Sequence, residues 1–175
     1  MKAYVVYESL WGNTAAIAEA VAQGLGEGAV ALSTADATPD VVAGADLLVA
    51  GAPSHANGLP SDSSRENALE RSREEDGPPE PDLSHPSMRS WLEQLPPGKR
   101  LGAAFDTRME SWWASGPAKK IARRLRGRGV DTIDAETFTV DHEGQTPHLA
   151  EGELERARTW GRALAEKSGL DRGSV

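Results

Sequence analysis

Cysteine is absent from all 175 residues. That excludes disulfides, thiolate catalysis, Cys-ligated zinc and iron–sulfur clusters, so a bound cofactor must carry any redox chemistry. It fits a reducing compartment, and the cytoplasm is the expected location. Long apolar runs are missing too. None approaches the ~20 residues of a membrane span, so no membrane segment is expected. Lys2 leads straight into a strand-like segment rather than an apolar h-region, so no signal peptide is expected. Basic excess is also lacking: 19 Lys and Arg face 27 Asp and Glu, a net charge of −8. Nucleic-acid binding is driven largely by cations meeting phosphates, so it is not expected here. His55, His85, His142 and His148 are scattered without helical metal-ligand spacing, and no metal site is expected. Neither a Gly-x-x-x-x-Gly-Lys phosphate loop nor a Gly-x-Ser-x-Gly nucleophile elbow occurs.

What is present is an alternation of short apolar runs and helical stripes. Residues 2–7 (KAYVVY), 29–34 (AVALST), 46–52 (DLLVAGA), 100–105 (RLGAAF) and 130–140 read as strands, the last split between VDTI and TFTV. Residues 14–25 read as a helix with Ile17, Ala18, Val21 and Leu25 on one stripe and Asn13 or Thr14 as N-cap. Residues 39–44 give one helical turn after Pro39. A helix starts around Ser84–Ser87 and turns Met88, Trp91, Leu92 and Leu95 to one side. Residues 116–128 form a basic helix with Ile121, Ala122 and Leu125 inward. Residues 151–167 form the last, with Leu154, Ala157, Trp160, Gly161 and Leu164 on one side. The stretch 61–82, crowded with Ser, Arg and Glu, reads as an exposed loop, either disordered or with a frayed helical piece at 65–74.

This alternation calls for a parallel sheet covered on both faces. Five strands in a doubly wound α/β/α sandwich of order 2-1-3-4-5 account for it, as one domain over 1–170 with a tail at 171–175. In such sheets ligands bind at the carboxyl ends of the strands where the order reverses. Loops 8–14, 53–60 and 106–115 should therefore face one another.

Each loop carries candidate binding residues. In Ser9-Leu10-Trp11-Gly12-Asn13-Thr14, Gly12 lets the backbone approach a ligand, Ser9 and Thr14 bring hydroxyls, and the unpaired amides of the next helix suit a phosphomonoester. Turn-and-cap chemistry explains the same residues without a ligand. The second loop runs Pro53-Ser54-His55-Ala56-Asn57-Gly58, with Asn57-Gly58 a turn dipeptide. The third holds Asp106, Thr107 and Arg108 and the pair Trp112-Trp113, which wants an apolar partner: a flat ring, the 61–82 loop or a second subunit.

Ser9-x-x-Gly12-Asn13-Thr14 after a first strand resembles the phosphate loop of flavodoxins. Gly51-x-Pro53-Ser54-x-x-Asn57-Gly58-x-Pro60 is similar to the second loop of the same relatives. Flavodoxins usually have threonine where this chain has Trp11, whereas related quinone reductases and flavodiiron proteins carry an aromatic there. The resemblance implies a flavodoxin-like fold and one non-covalent FMN. Its phosphate would rest on residues 9–14 and its ring between 53–58 and 106–113, with His55 either a donor near the ring edge or exposed. It also implies redox partner proteins, namely a flavin- or ferredoxin-type reductase and an acceptor enzyme, for a monomer or homodimer. Electron transfer needs no protein acid or base, so no catalytic residue is assigned. Two alternatives stay open: an NAD(P)H:quinone-type reductase with 61–82 as a lid, and a flavin-free interaction module. A phosphorylated receiver domain is excluded, because Asp46 lies at the wrong end of its strand.

Overall fold

Period-two burial along the strands sorts the core into two layers. A computed structural model describes residues 2–55, 58–110, 116–141 and 146–169. Strands β1 (Ala3–Tyr7), β2 (Ala29–Ser33), β3 (Leu47–Pro53), β4 (Arg100–Arg108), β5 (Val130–Asp141) and β6 (His148–Leu149) form one sheet of order β2-β1-β3-β4-β5-β6. The first five are parallel neighbours, as the alternation requires. The sixth, two residues long, returns antiparallel against Val140 and Asp141. β5 is one continuous strand rather than two pieces, and a register shift opposite Gly102/Ala103 absorbs the irregularity.

Helices α1 (Asn13–Leu25) and α6 (Glu153–Ser168) cover one face. There Ile17, Val21, Ala157, Trp160 and Leu164 pack on Val5, Val49, Phe105 and Phe138. The other face carries α2 (Pro39–Val42), α4 (Met88–Gln94) and α5 (Pro117–Arg126). Met88, Trp91, Leu92, Ile121 and Leu125 meet Val6, Leu48, Ala50 and Ala104 there. Val5 and Val6 thus serve opposite layers, as do Leu48 and Val49. Leu154, expected inward, is 39 % exposed.

Two glycines set the spacing of α1 against α6. A Cβ on Gly24 would sit 2.1 Å from the Arg158 carbonyl oxygen, and one on Gly161 2.4 Å from that of Val21. Backbones can approach this closely only without side chains. Phe105, Phe138 and Trp160 close the same layer edge-to-face, with centroids 6.0–6.3 Å apart.

The segment 61–82, expected as an exposed loop either disordered or with a frayed helical piece at 65–74, contains a helix. Residues Asp62–Ser72 form helix α3. Ser61 and Ser64 cap one another reciprocally: Ser64 N–H donates to Ser61 Oγ at 3.2 Å and Ser61 N–H to Ser64 Oγ at 2.9 Å. Composition left the helix ambiguous because it has no apolar stripe. Its buried residue is Arg65.

Candidate functional site

The first loop leaves β1 through Glu8, fully buried, and enters α1 through Gly12. Gly12 is the N-cap rather than the expected Asn13 or Thr14, with φ +91°, a conformation that favours glycine. Its N–H donates to Ser9 Oγ at 3.1 Å, which shapes the turn and leaves the Ser9 hydroxyl proton free to donate. The first intrahelical bond runs from Ala16 N–H to Gly12 O (3.0 Å). The amides of Asn13, Thr14 and Ala15 come before it and have no backbone acceptor among the described residues. Thr14 and Thr107 share a buried hydroxyl–hydroxyl bond of 2.8 Å. One hydroxyl is donor in that pair, so the other keeps its proton for a third oxygen. Asn13 Nδ2 donates instead to the Pro147 carbonyl at 2.9 Å.

Four successive residues of this loop are held by the segment that follows β3. Glu8 Oε2 accepts from Met88 N–H (2.8 Å), and its Oε1 lies 3.3 Å from Arg65 Nη1. That approach pairs the charges without the alignment of a hydrogen bond. His85 Nε2–H donates to Ser9 O at 2.9 Å. Asp82 N–H donates to Leu10 O at 2.8 Å, and Trp11 Nε1–H to Pro79 O at 2.8 Å. Arg65 is fixed in turn by the His85 carbonyl at 2.6 Å. Burial pushes the Glu8 carboxyl above its ordinary value, against the pull of the Met88 amide and Arg65. Sequence reasoning missed this Glu8–Arg65 pair. The available signal was an acidic residue ending a buried strand.

In the second loop, His55 and Gly58 exchange backbone hydrogen bonds of 2.9 Å each way, closing a tight turn. Ser54 N–H donates to Thr107 O (2.9 Å), joining the second and third loops. His55 Nδ1 is 3.3 Å from Ser64 Oγ, and its ring faces Trp11 with centroids 6.1 Å apart, tilted by 34°. Burial, with Arg65 nearby, lowers the imidazole pKa and keeps the ring neutral. A cleft of about 470 Å³ opens beside this pair; Ser54, Ser64, Asn67, Arg71 and Pro147 also line it. That volume lies in the ~300–1,000 Å³ range of small-molecule sites. Asn57 and Trp112, with its neighbour Trp113, lie outside the described residues.

The third loop begins later than its polarity suggests, because Asp106, Thr107 and Arg108 are the last residues of β4. Asp106 is not at the cleft. It is fully buried, and its Oδ2 accepts from Ala118 N–H at 2.9 Å, capping α5 where Gly116 offers no side chain. A Cβ on Gly116 would sit 2.1 Å from that oxygen. Burial raises the Asp106 carboxyl, while the Ala118 amide, Thr137 and Arg108 oppose the shift. Arg108 Nε is 3.7 Å from Asp106 Oδ1. The structure therefore joins Ser9 to Gly12 in the turn and Thr14 to Thr107 in a buried pair, and brings Trp11, Ser54 and His55 to the adjoining cleft. Pro53 ends β3 between them.

A β2-β1-β3-β4-β5 sheet with a glycine turn and a helix N-terminus at its switch point is the flavodoxin-like, doubly wound architecture. The flavodoxin family profile matches residues 5–160, so this chain belongs to the flavodoxin family. Proteins of the family bind FMN. Among solved structures, a flavodoxin from the domain Archaea is 20 % identical, with 97 % of this chain and 99 % of that one covered at a TM-score of 0.63. A WrbA-like flavodoxin from Agrobacterium tumefaciens is 20 % identical over 97 % and 98 %, TM-score 0.57. Oxidised flavodoxin 2 from Bacillus cereus is 18 % identical over 95 % and 99 %, TM-score 0.61. At such identities the likeness speaks for the fold. No curated protein sequence matches the chain.

Proposed function

We propose that the chain binds one FMN non-covalently and works as an electron-transfer protein. The observation that carries this reading is the first loop: three unpaired amides and two available hydroxyl protons around a left-handed glycine. This donor set suits a phosphate. When bound, the flavin supplies the redox chemistry, and the protein supplies binding, orientation and electrostatics. Ser9 and one hydroxyl of the Thr14–Thr107 pair donate to phosphate oxygens, and the amides of residues 13–15 add the helix-end charge. Leu10, buried between them, keeps the loop's apolar side closed. Trp11 and the neutral His55 wall the cleft that takes the ring. On the Tyr7 flank of the loop, Asp36 and Asp82 repel an anion. This favours the Thr107 side for the phosphate.

The position of α3 supports a second reading. Ser64, Asn67 and Arg71 wall the cleft, so 61–82 covers it as a quinone-type reductase fed by NAD(P)H would require. The deciding experiment is a near-ultraviolet and visible absorbance spectrum before and after adding FMN and dialysing. Retained flavin bands support both flavin readings; a colourless protein rejects them and leaves the flavin-free module. Reduction by a dye couple without turnover by NADH or NADPH then supports the carrier. Steady nicotinamide oxidation with a quinone supports the reductase.

A further inference from the structure

We propose that α5, beside the second loop, is the docking surface for an acidic redox protein, one whose carboxylates surround its own electron-transfer centre. The electron-transfer role rests on the FMN reading above. The docking itself rests on charge placement alone.

Between residues 117 and 128 stand six cations and no acid, in a chain whose net charge is −8. Glu93 engages two of them: its Oε1 is 3.5 Å from Arg124 Nη1, and its carbonyl accepts from Arg128 Nη2 at 2.6 Å. Lys119, Lys120, Arg123 and Arg126 have no carboxylate within ion-pair distance among the described residues. Helix α6 shows the contrast. Each of its four cations is paired: Arg156 with Glu153 (2.7 Å), Arg158 with Glu155 (3.3 Å), Arg162 with Glu155 (2.9 Å) and Lys167 with Asp134 (2.5 Å). A merely solvated face in so acidic a chain would recruit carboxylates as α6 does. The surplus acid is instead gathered elsewhere: 61–82 carries eight acidic and three basic residues.

The placement of α5 gives the patch a use. Lys120 Nζ lies 3.2 Å from where a Gly58 Cβ would stand, so the cationic face begins at the second loop. Arg89 adds a guanidinium whose Nη2 donates to Leu59 O at 3.4 Å. The buried Asp106 cap fixes the amino end of α5 to β4, which holds these charges in register with the loop. Electron transfer needs the partner's centre close to the cleft, and a partner drawn to α5 arrives there. Complementary charge steers such encounters and weakens with salt. A compact acidic protein fits a helix of ten residues, about 15 Å long. A nucleic-acid duplex would be repelled by the remainder of the chain.

The test uses the purified chain with a fluorescein-labelled deca-glutamate peptide at low salt, read by anisotropy. Wild-type protein should bind it, and sodium chloride should weaken the binding. Lys119→Glu/Lys120→Glu/Arg123→Glu should bind at least tenfold more weakly with an unchanged urea midpoint. The neutralising pair Lys119→Gln/Arg123→Gln should fall between. Absent binding by the wild type, or equal binding by the triple variant, overturns the docking surface. For the redox role, FMN-loaded protein is reduced with dithionite and mixed with ferricyanide, which takes one electron per molecule to become ferrocyanide. If the patch governs approach to the cleft, the ferricyanide rate falls with ionic strength despite the net negative charge. The rate with cationic hexaammineruthenium(III) then rises. The opposite salt dependence overturns the redox role. Peptide binding without FMN retention leaves the surface standing and rejects the electron-transfer reading.

Discussion

Replacing Arg65 by methionine should destabilise the chain by about 3 kcal/mol near neutral pH, and the loss should shrink in mild acid. At 3.3 Å the Glu8–Arg65 attraction is worth about 5 kcal/mol in an effective dielectric of about 20. Desolvation of both buried partners offsets much of that, so the pair as a whole contributes far less. Removing one partner is different, because the other stays buried and unpaired, at ~3–5 kcal/mol. Methionine preserves the apolar stem but loses the bond to the His85 carbonyl. Protonation of Glu8 relieves part of the cost, which keeps the expected value at the lower end.

That relief gives the pH signature. Burial already holds the Glu8 carboxyl above its ordinary value, and Arg65 is among the groups opposing the shift. Without Arg65 the carboxyl rises further. A raised folded-state pKa contributes stability below the unfolded value, and that contribution is lost as pH rises through the folded value. Variant and wild type should therefore converge as pH falls from neutrality towards the ordinary carboxylate range. Urea unfolding at several pH values measures this, and Glu8→Gln/Arg65→Met should recover at least about half of the loss. An equal deficit at both pH extremes, or a double variant as unstable as the sum of the singles, would refute the reasoning.

Ser9→Ala with Thr14→Ala should weaken FMN binding by ~1–3 kcal/mol in a fluorescence titration. Unchanged affinity would remove the first loop from the site. Gly161→Ala should cost about 2 kcal/mol or more, since its Cβ would lie 2.4 Å from the Val21 carbonyl oxygen; a neutral urea midpoint would contradict the contact. Asp106→Asn keeps an acceptor for Ala118 but removes a carboxyl whose pKa burial raises. The wild type gains stability from Asp106 as pH falls from neutrality towards the carboxylate range, and the variant should lack that gain.

The sheet and its two layers were legible in the sequence because burial there follows a period: Val5 and Val6 alternate, and Ile17, Val21 and Leu25 recur along one stripe. Helix α3 was legible only in part, as the frayed helical piece at 65–74, because it docks through an arginine rather than an apolar stripe. The Glu8 that receives it is distant in sequence, and an acidic residue at the end of a buried strand does not name its partner. Asp106–Arg108 read as loop because polar residues seldom end a buried strand, and β6 is too short for any periodicity. Of the candidate site, the tight turn at Gly12 could be read from residue type and spacing. The withdrawal of Asp106 to cap α5 could not, since it depends on where Gly116 folds back.

The bonds from Glu8 to Trp11 bear on the proposed FMN site. The carboxylate of Glu8, the carbonyls of Ser9 and Leu10 and the indole of Trp11 are all engaged by residues 65–88. These bonds hold the loop without a ligand, so under the proposed FMN reading binding need not order it; preorganisation of this kind lowers the cost of association. Amide hydrogen exchange can separate formed from unformed parts. The Glu8 amide, bonded to the Gly51 carbonyl at 3.1 Å, and the Gly12 amide, bonded to Ser9 Oγ, should be protected without FMN and change little on its addition. The amides of Asn13, Thr14 and Ala15 should exchange freely at first and slow by at least tenfold with FMN. If all five amides slow together, the loop is being ordered by the ligand. In that case the bonds to 65–88 do not hold it.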